Sequence, residues 1–76
     1  ELPQRIEKRL QVLGDYYGEP SPSNVKDIDI RVTQEDLAKM LGVARQSVGK
    51  ELKEMETRGL LKIQYGKITL LEYQKG

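Results

Sequence analysis

The sequence predicts a small α+β domain in which three helices precede a short antiparallel β-hairpin. Two observations lead to this prediction. Apolar residues recur at helical spacing in three separate segments, and they alternate with polar residues in two short runs that flank Tyr65-Gly66. The chain has 76 residues and is 37% hydrophobic, which is enough for one compact core and not for two. We therefore expect one domain that spans residues 1–76.

The first helix is predicted over Leu2–Tyr17, where apolar side chains share one face at Leu2, Ile6, Leu10 and Leu13. Gly18 follows at the position of a helix cap, and the Pro- and Ser-rich residues 19–24 predict a loop. Beyond the loop, Ile28, Ile30 and Val32 alternate with polar residues. This alternation indicates a short strand.

Two further helices follow with little chain between them. Thr33 is a predicted N-cap, with Asp36 placed to complete a capping box, and Gly42 is expected to end this second helix with a positive φ. Its predicted buried face comprises Leu37, Met40 and Leu41. The third helix is predicted over residues 45–58, before Gly59, with an apolar stripe at Val48, Leu52 and Met55.

Two short helices joined by a tight glycine-containing turn are typical of the helix-turn-helix motif, which binds DNA. The residues that we expect to hold the two helices together are Ala38, Gly42, Val48 and Leu52. The predicted hairpin at residues 61–71 would form the wing of a winged helix-turn-helix fold. Ala or Gly alone would fit any pair of packed helices, so the prediction depends on the whole combination.

The exposed face of the third helix supplies the candidate contacts with base edges in the major groove, which are Arg45, Gln46, Gly49 and Lys50. Arg can donate two hydrogen bonds to guanine, Gln can pair with adenine, and a glycine leaves room for the helix to lie deep in the groove. Candidate contacts with the DNA backbone are Thr33, Gln34, Ser47, Lys53, Tyr65 and Lys67. These side chains would otherwise form an ordinary solvated surface.

The charge distribution favours a nucleic-acid surface in the second half of the chain. The net charge is only +1, but residues 1–30 have four basic and six acidic side chains, whereas residues 31–76 have nine basic and six acidic. The absence of Cys and His removes the usual ligands of a metal site and the commonest general base. We therefore predict no metal site and no enzyme.

The sequence has three alternative interpretations. A winged helix that binds protein would need a different surface in place of Arg45, Gln46 and Lys50, and a MarR-like or GntR-like regulator would act by nearly the same mechanism. The carboxylate pairs Asp27/Asp29 and Glu35/Asp36 have no accompanying nucleophile and base. No apolar run approaches the roughly 20 residues that span a bilayer, so we expect a cytoplasmic protein without membrane contact.

Residues 33–38, 41–52, 58–61 and 65–68 together resemble the C-terminal DNA-binding domain of the Crp/Fnr family of bacterial transcription regulators. The resemblance covers essentially the whole chain. This sequence departs from the family pattern at two positions on the third helix, because many relatives have Glu and Arg where it has Gln46 and Lys50. We expect the DNA half-site to differ at the base pair that faces Gln46.

The resemblance also implies a longer protein, as does a chain that begins at Glu1 rather than Met. An effector such as a cyclic nucleotide would bind an N-terminal domain outside this chain, so we expect no cofactor here. The full protein would be a homodimer on an inverted repeat, whereas this piece alone would be a monomer. Residues 19–26 fall where relatives present a surface to RNA polymerase.

Overall fold

A computed structural model describes residues 1–75 as three helices packed on one four-stranded antiparallel sheet. In chain order the elements are α1 (Leu2–Tyr17), β1 (Glu19–Ser21), β2 (Asn24–Ile30), α2 (Gln34–Leu41), α3 (Arg45–Thr57), β3 (Leu61–Gln64) and β4 (Lys67–Leu70). The strand order is β1-β2-β4-β3, so the first hairpin lies beside the second. The predicted α+β winged helix-turn-helix fold is confirmed.

The predicted loop at residues 19–24 is wrong, because these residues belong to a β-hairpin. Pro20 pairs with Ile28, and only residues 22 and 23 form the turn between β1 and β2. A proline in a strand lacks the N–H of the ladder, but β1 lies at the edge of the sheet, where that donor is not required. The strand predicted from Ile28 therefore begins earlier, at Asn24.

The core lies between the helices and the inner face of the sheet. The largest fully buried side chains come from all three helices and from the two central strands, namely Ile6, Leu37, Val48, Leu52, Ile30 and Ile68. The stripe predicted for α3 is buried as expected. Burying each such side chain contributes about 1.5–3 kcal/mol relative to exposure.

Met40 is the exception to the predicted core. Its side chain is 44% exposed, whereas Leu37 and Leu41 on the same helix are buried. Met40 instead lines an open groove of about 860 Å³ between α1 and α2, together with Val12, Tyr16 and Tyr17. Helical spacing alone placed Met40 near the buried stripe, but Ala38 is also buried, so the buried face is centred on the Ala38 side of the helix and Met40 lies outside it.

Both ends of α2 are held by side chains. Thr33 Oγ1 accepts from the Asp36 N–H, and Asp36 Oδ2 accepts from the Thr33 N–H, each at 3.0 Å. This reciprocal pair is the predicted capping box. At the other end, Arg5 Nη2 of α1 donates to the Leu41 carbonyl at 2.7 Å. A cation at a helix C-terminus also interacts favourably with the helix dipole.

The turn between α2 and α3 depends on Gly42, which has φ 68° and ψ 36°. This is the left-handed region that side chains with a Cβ disfavour. The Val43 N–H then donates to the Ala38 carbonyl at 3.1 Å, which closes the turn. The predicted positive φ is confirmed, and α3 begins at Arg45.

The end of α3 is joined to the second hairpin. Leu60 N–H donates to the Met55 carbonyl and Gly59 N–H to the Glu56 carbonyl, both at 3.0 Å, in the pattern of a Schellman motif. Glu56 Oε2 also accepts from the Ile63 N–H of β3 at 2.9 Å, and this hydrogen bond is the main reason why the pKa of Glu56 is lowered. The helix thereby satisfies a donor on the edge strand.

The segment after β4 folds back on α1 through Tyr73. The Tyr73 ring lies so close to Gly14 that a Cβ there would be 2.9 Å from ring atoms. Its hydroxyl donates to the Asp15 carboxylate and lies 3.0 Å from the Gln11 carbonyl oxygen. Burial, with a further contribution from Asp15, raises the pKa of Tyr73 to about 12.

This raised pKa predicts a loss of stability in alkali. The folded state holds the phenol proton more tightly than the unfolded state, so the stabilisation is complete below pH ~10 and is lost as the pH rises through about 12. Tyr73→Phe should remove this pH-dependent component and lower the free energy of unfolding at neutral pH by about 1 kcal/mol. Urea unfolding at several pH values, with Tyr16→Phe as a control at an exposed tyrosine, measures both effects. Identical pH profiles for Tyr73→Phe and the parent would contradict the assignment.

Candidate nucleic-acid interface

Helix α3 has one buried face and one exposed face. The stripe of Val48, Leu52 and Met55 packs in the core, so the rotation of the helix about its axis is fixed. Three of the predicted base-contacting side chains, Arg45, Gln46 and Lys50, are exposed. Within residues 1–75, neither Arg45 nor Lys50 forms an ion pair. Two free positive charges therefore lie on the first two turns of α3.

The start of α3 has no side-chain cap, because its N-cap residue is Ala44. The Ala44 carbonyl accepts from the N–H groups of Ser47 and Val48, at 3.1 and 3.2 Å. No side-chain oxygen competes for the N–H groups of the first turn, which have the positive end of the helix dipole. Beside Arg45, this end of α3 favours an anion.

A shallow groove of about 230 Å³ brings together the start of α2, the start of α3 and the turn of the second hairpin. Five residues that the sequence predicted as DNA contacts line it, and these are Thr33, Gln34, Arg45, Tyr65 and Lys67. The other predicted contacts do not line this groove. Gln46, Ser47, Lys50 and Lys53 are exposed along α3, and Gly49 is half-buried.

Lys67 is less free than the sequence suggested. Its Nζ donates to Asp29 Oδ2 of β2 at 3.0 Å, and only 28% of its side chain is exposed. Thr69 Oγ1 donates to Asp29 Oδ1 at 2.7 Å, and Gln64 Nε2 donates to Thr69 Oγ1 at 2.6 Å. The hydrogen bond from Thr69, followed by that from Lys67, lowers the pKa of Asp29, so the carboxylate is charged and offsets part of the lysine's charge.

Sequence reasoning missed this role of Asp29, which it considered only as one of a pair of carboxylates on a strand. The residue is buried on the outer face of the sheet, where Asp29 pairs with Thr69 across β2 and β4. Lys67 and Asp29 are 38 positions apart in the chain. A local pattern could not indicate this contact, since it depends on the pairing of strands from different hairpins.

Two other candidate backbone contacts differ in their surroundings. Tyr65 is fully exposed at the tip of the second hairpin, next to Gly66 with φ 72°. Lys53 lies 3.5 Å from the Glu56 carboxylate, but 75% of its side chain is exposed. Such an exposed pair contributes little to stability, so the Lys53 ammonium is available to another anion.

Gly49 lies where α3 meets the first residue of α2. An ideal Cβ on Gly49 would be 2.9 Å from Oε1 of Gln34. The sequence suggested that this glycine makes room for DNA, whereas the structure shows a side chain of the same protein beside it.

Residues 1–75 contain neither a membrane-spanning helix nor a cluster of metal-binding side chains. No helix in this range combines the length and the apolar character that crossing a membrane requires. The same residues contain no group of three or more acidic, His or Cys side chains arranged to hold a metal ion.

Comparisons with known proteins agree with this arrangement. The chain matches the family described as the Crp-like helix-turn-helix domain over residues 4–75. No curated protein sequence matches it significantly. Among solved structures, it is similar to a transcriptional regulator of the CRP/FNR family from Thermus thermophilus, with 26% identity and a TM-score of 0.83 over 93% of this chain and 36% of that one.

It is also similar in fold to the CO-dependent transcription factor CooA from Carboxydothermus hydrogenoformans in its imidazole-bound form, with 24% identity and a TM-score of 0.79 over 95% of this chain and 33% of that one. The chain thus spans about a third of the length of these regulators. The family match covers nearly every described residue and confirms the resemblance noted in the sequence. The chain belongs to the Crp-like helix-turn-helix domains, which are DNA-binding domains of transcription regulators and not enzymes.

Proposed function

We propose that this domain binds a specific double-stranded DNA sequence with α3 in the major groove and the β3–β4 hairpin beside the sugar–phosphate backbone. The observation that supports this most directly is the exposed face of α3, which has Arg45, Gln46 and Lys50 opposite the buried stripe. Further support comes from the groove that joins Arg45 to the start of α2 and to the hairpin turn, because three elements that line one groove can contact one duplex.

The proposed contacts follow from the chemistry of each side chain. Arg45 donates two hydrogen bonds to a guanine, Gln46 pairs with an adenine, and Lys50 supplies a point charge near the base edges or an adjacent phosphate. The proposed phosphate contacts are Thr33, Gln34, Ser47, Lys53, Tyr65 and Lys67. Although Lys67 donates to Asp29, its ammonium group has further hydrogens for a phosphate.

We propose that the whole protein is a longer cytoplasmic regulator that binds an inverted repeat as a homodimer, with one such domain on each half-site. Any effector, such as a cyclic nucleotide, would bind outside this chain. The isolated domain is then a monomer that makes the contacts of one half-site only. Its affinity should be modest and should fall steeply with salt, because phosphate contacts release condensed counterions.

We further propose that residues 19–26 contact RNA polymerase. The β1–β2 hairpin has an apolar side chain at its outer end, since Val25 is 81% exposed. This side chain is therefore accessible to another protein.

Arg45→Ala should weaken binding to a duplex with a Crp/Fnr-like inverted repeat by roughly fivefold to 150-fold, because it removes a two-pronged contact worth about 1–3 kcal/mol. Fluorescence anisotropy at several salt concentrations gives the affinity. It also gives the number of phosphates neutralised, because the logarithm of the binding constant falls by ~0.9 per phosphate for each tenfold increase in salt. A duplex with both half-sites should take up two domains.

The matched control is Lys8→Ala, which removes one positive charge from the exposed surface of α1. It should leave the affinity for the inverted repeat nearly unchanged, and a scrambled duplex should bind Arg45→Ala and the parent about equally. If Lys8→Ala and Arg45→Ala weaken binding to the same extent, α3 does not recognise bases and the proposal fails.

Gln46→Glu should change which base pair is preferred at one position of each half-site. A carboxylate only accepts hydrogen bonds and so favours the N4 amino group of cytosine, whereas the amide of Gln also donates and favours adenine. Binding to duplexes that carry each of the four base pairs at this position should show a change in preference of about 1–3 kcal/mol. An unchanged order of preference in Gln46→Glu would show that this residue does not face a base.

Val25→Ser should weaken capture of RNA polymerase by the domain–DNA complex, by about fivefold, while leaving DNA affinity unchanged, because it removes an apolar contact of roughly 1 kcal/mol. Val12→Ser is the matched control, since Val12 is a second exposed valine outside residues 19–26. Equal capture of polymerase by the parent and by Val25→Ser would remove this hairpin as the contact surface.

A further inference from the structure

We infer that Gly49 is a positioning residue for Gln34, and that it acts on DNA binding through that side chain rather than by making room for DNA. The inference rests on the proposed function. Gln34 is the first residue of α2, and Gly49 lies on α3. The amide end of Gln34 occupies the space that a side chain at position 49 would fill.

The distances show why a glycine is required for this arrangement. An ideal Cβ at position 49 would lie 2.9 Å from Gln34 Oε1 and 3.8 Å from Gln34 Cδ. The shorter distance is below the normal contact distance between a carbon and an oxygen atom that are not bonded. An added methyl group must therefore displace the amide. The obstructing atom is the far end of a flexible side chain, and the backbone of α2 is not involved. The helices can therefore keep their packing while Gln34 moves.

The Gln34 side chain lies where it can contact DNA in the proposed complex. Its half-buried side chain lines the groove that also contains Thr33 and Arg45. A glutamine amide presents two N–H donors and a carbonyl acceptor, which suit a phosphate oxygen or a base edge. A free glutamine side chain has several rotamers and loses their entropy when it binds. The space left by Gly49 admits the rotamer that places the amide in this groove, so Gln34 can adopt it before DNA arrives.

A double-mutant cycle separates this inference from the alternative that Gly49 makes room for DNA. Gln34→Ala should weaken binding to the inverted-repeat duplex by about twofold to tenfold, as expected for one hydrogen bond. Gly49→Ala should weaken it by a similar factor, because it displaces the same amide. In the double variant, Gly49→Ala should have no further effect, since the side chain that it displaces is gone.

A second measurement uses the free protein. Gly49→Ala should shift the side-chain amide resonances of Gln34 in NMR spectra without DNA. Its thermal midpoint should be unchanged or higher, because Ala favours a helix more than Gly does. A variant that loses affinity with a preserved midpoint has lost a contact and not its fold.

Three results would overturn the inference. Equal weakening by Gly49→Ala in the presence and absence of Gln34 would mean that the added methyl group meets the DNA itself. Unchanged binding by Gln34→Ala would mean that the amide does not act on DNA, while a large effect of Arg45→Ala would leave the proposed function intact. If Arg45→Ala also binds like the parent, the proposed function and the inference fail together.

Discussion

The left-handed turn at Gly42 is the constraint on which the geometry of the interface depends. It reverses the chain between two helices with only Val43 and Ala44 left before α3 begins. A residue with a Cβ at this φ would cost on the order of 1 kcal/mol, and relieving that strain would change the angle between the helices. The turn fixes the axis of α3, and the buried Val48 fixes the rotation of the helix about that axis. Together they determine the direction in which the exposed face of α3 points.

The position of the hairpin depends on a second set of interactions, on the outer face of the sheet. Strand β4 lies between β2 and β3, and its Ile68 is buried in the core on the inner side. On the outer side, Asp29 links β2 to Thr69 and Lys67 of β4. A largely buried ion pair adds little net stability, since desolvation offsets the attraction, but it favours one arrangement of the groups that it joins. The hairpin is thereby held in register with the rest of the domain.

A structural feature is predictable from the sequence when the residues that form it are close together in the chain. The capping box of Thr33 and Asp36 and the turn at Tyr65-Gly66 involve neighbours in the chain, so residue types alone predicted them. The hairpin at residues 19–24 was missed because Pro and Ser favour loops, and only pairing with Ile28 makes Pro20 part of a strand.

The same reasoning separates the parts of the candidate site. The exposure of Arg45, Gln46 and Lys50 on α3 follows from helical spacing and was predicted, whereas Gly49, which was predicted to lie on the same face, is half-buried. The contacts that change the charge or the position of other candidate side chains join residues from different elements, and these were not predicted. Lys67 meets Asp29 across 38 positions, and Gln34 meets Gly49 across the turn between two helices. Sequence periodicity indicates which side of a helix is exposed. It does not indicate which side chain from another element packs against that helix.

A net charge of +1 is compatible with DNA binding because local charges matter more than the total, and within residues 1–75 Arg45 and Lys50 of α3 form no ion pair. Beyond about 10 Å, salt at 0.1 M screens a surface charge, so a phosphate responds to nearby groups and not to the total. Lys67 and Lys53 are partly offset by Asp29 and Glu56, whereas Arg45 has no such partner within residues 1–75. In the proposed complex, the attraction should therefore be strong where α3 begins. A single domain would make the contacts of one half-site only, and in the proposed dimer the second half-site would supply affinity through effective concentration, without a more basic surface.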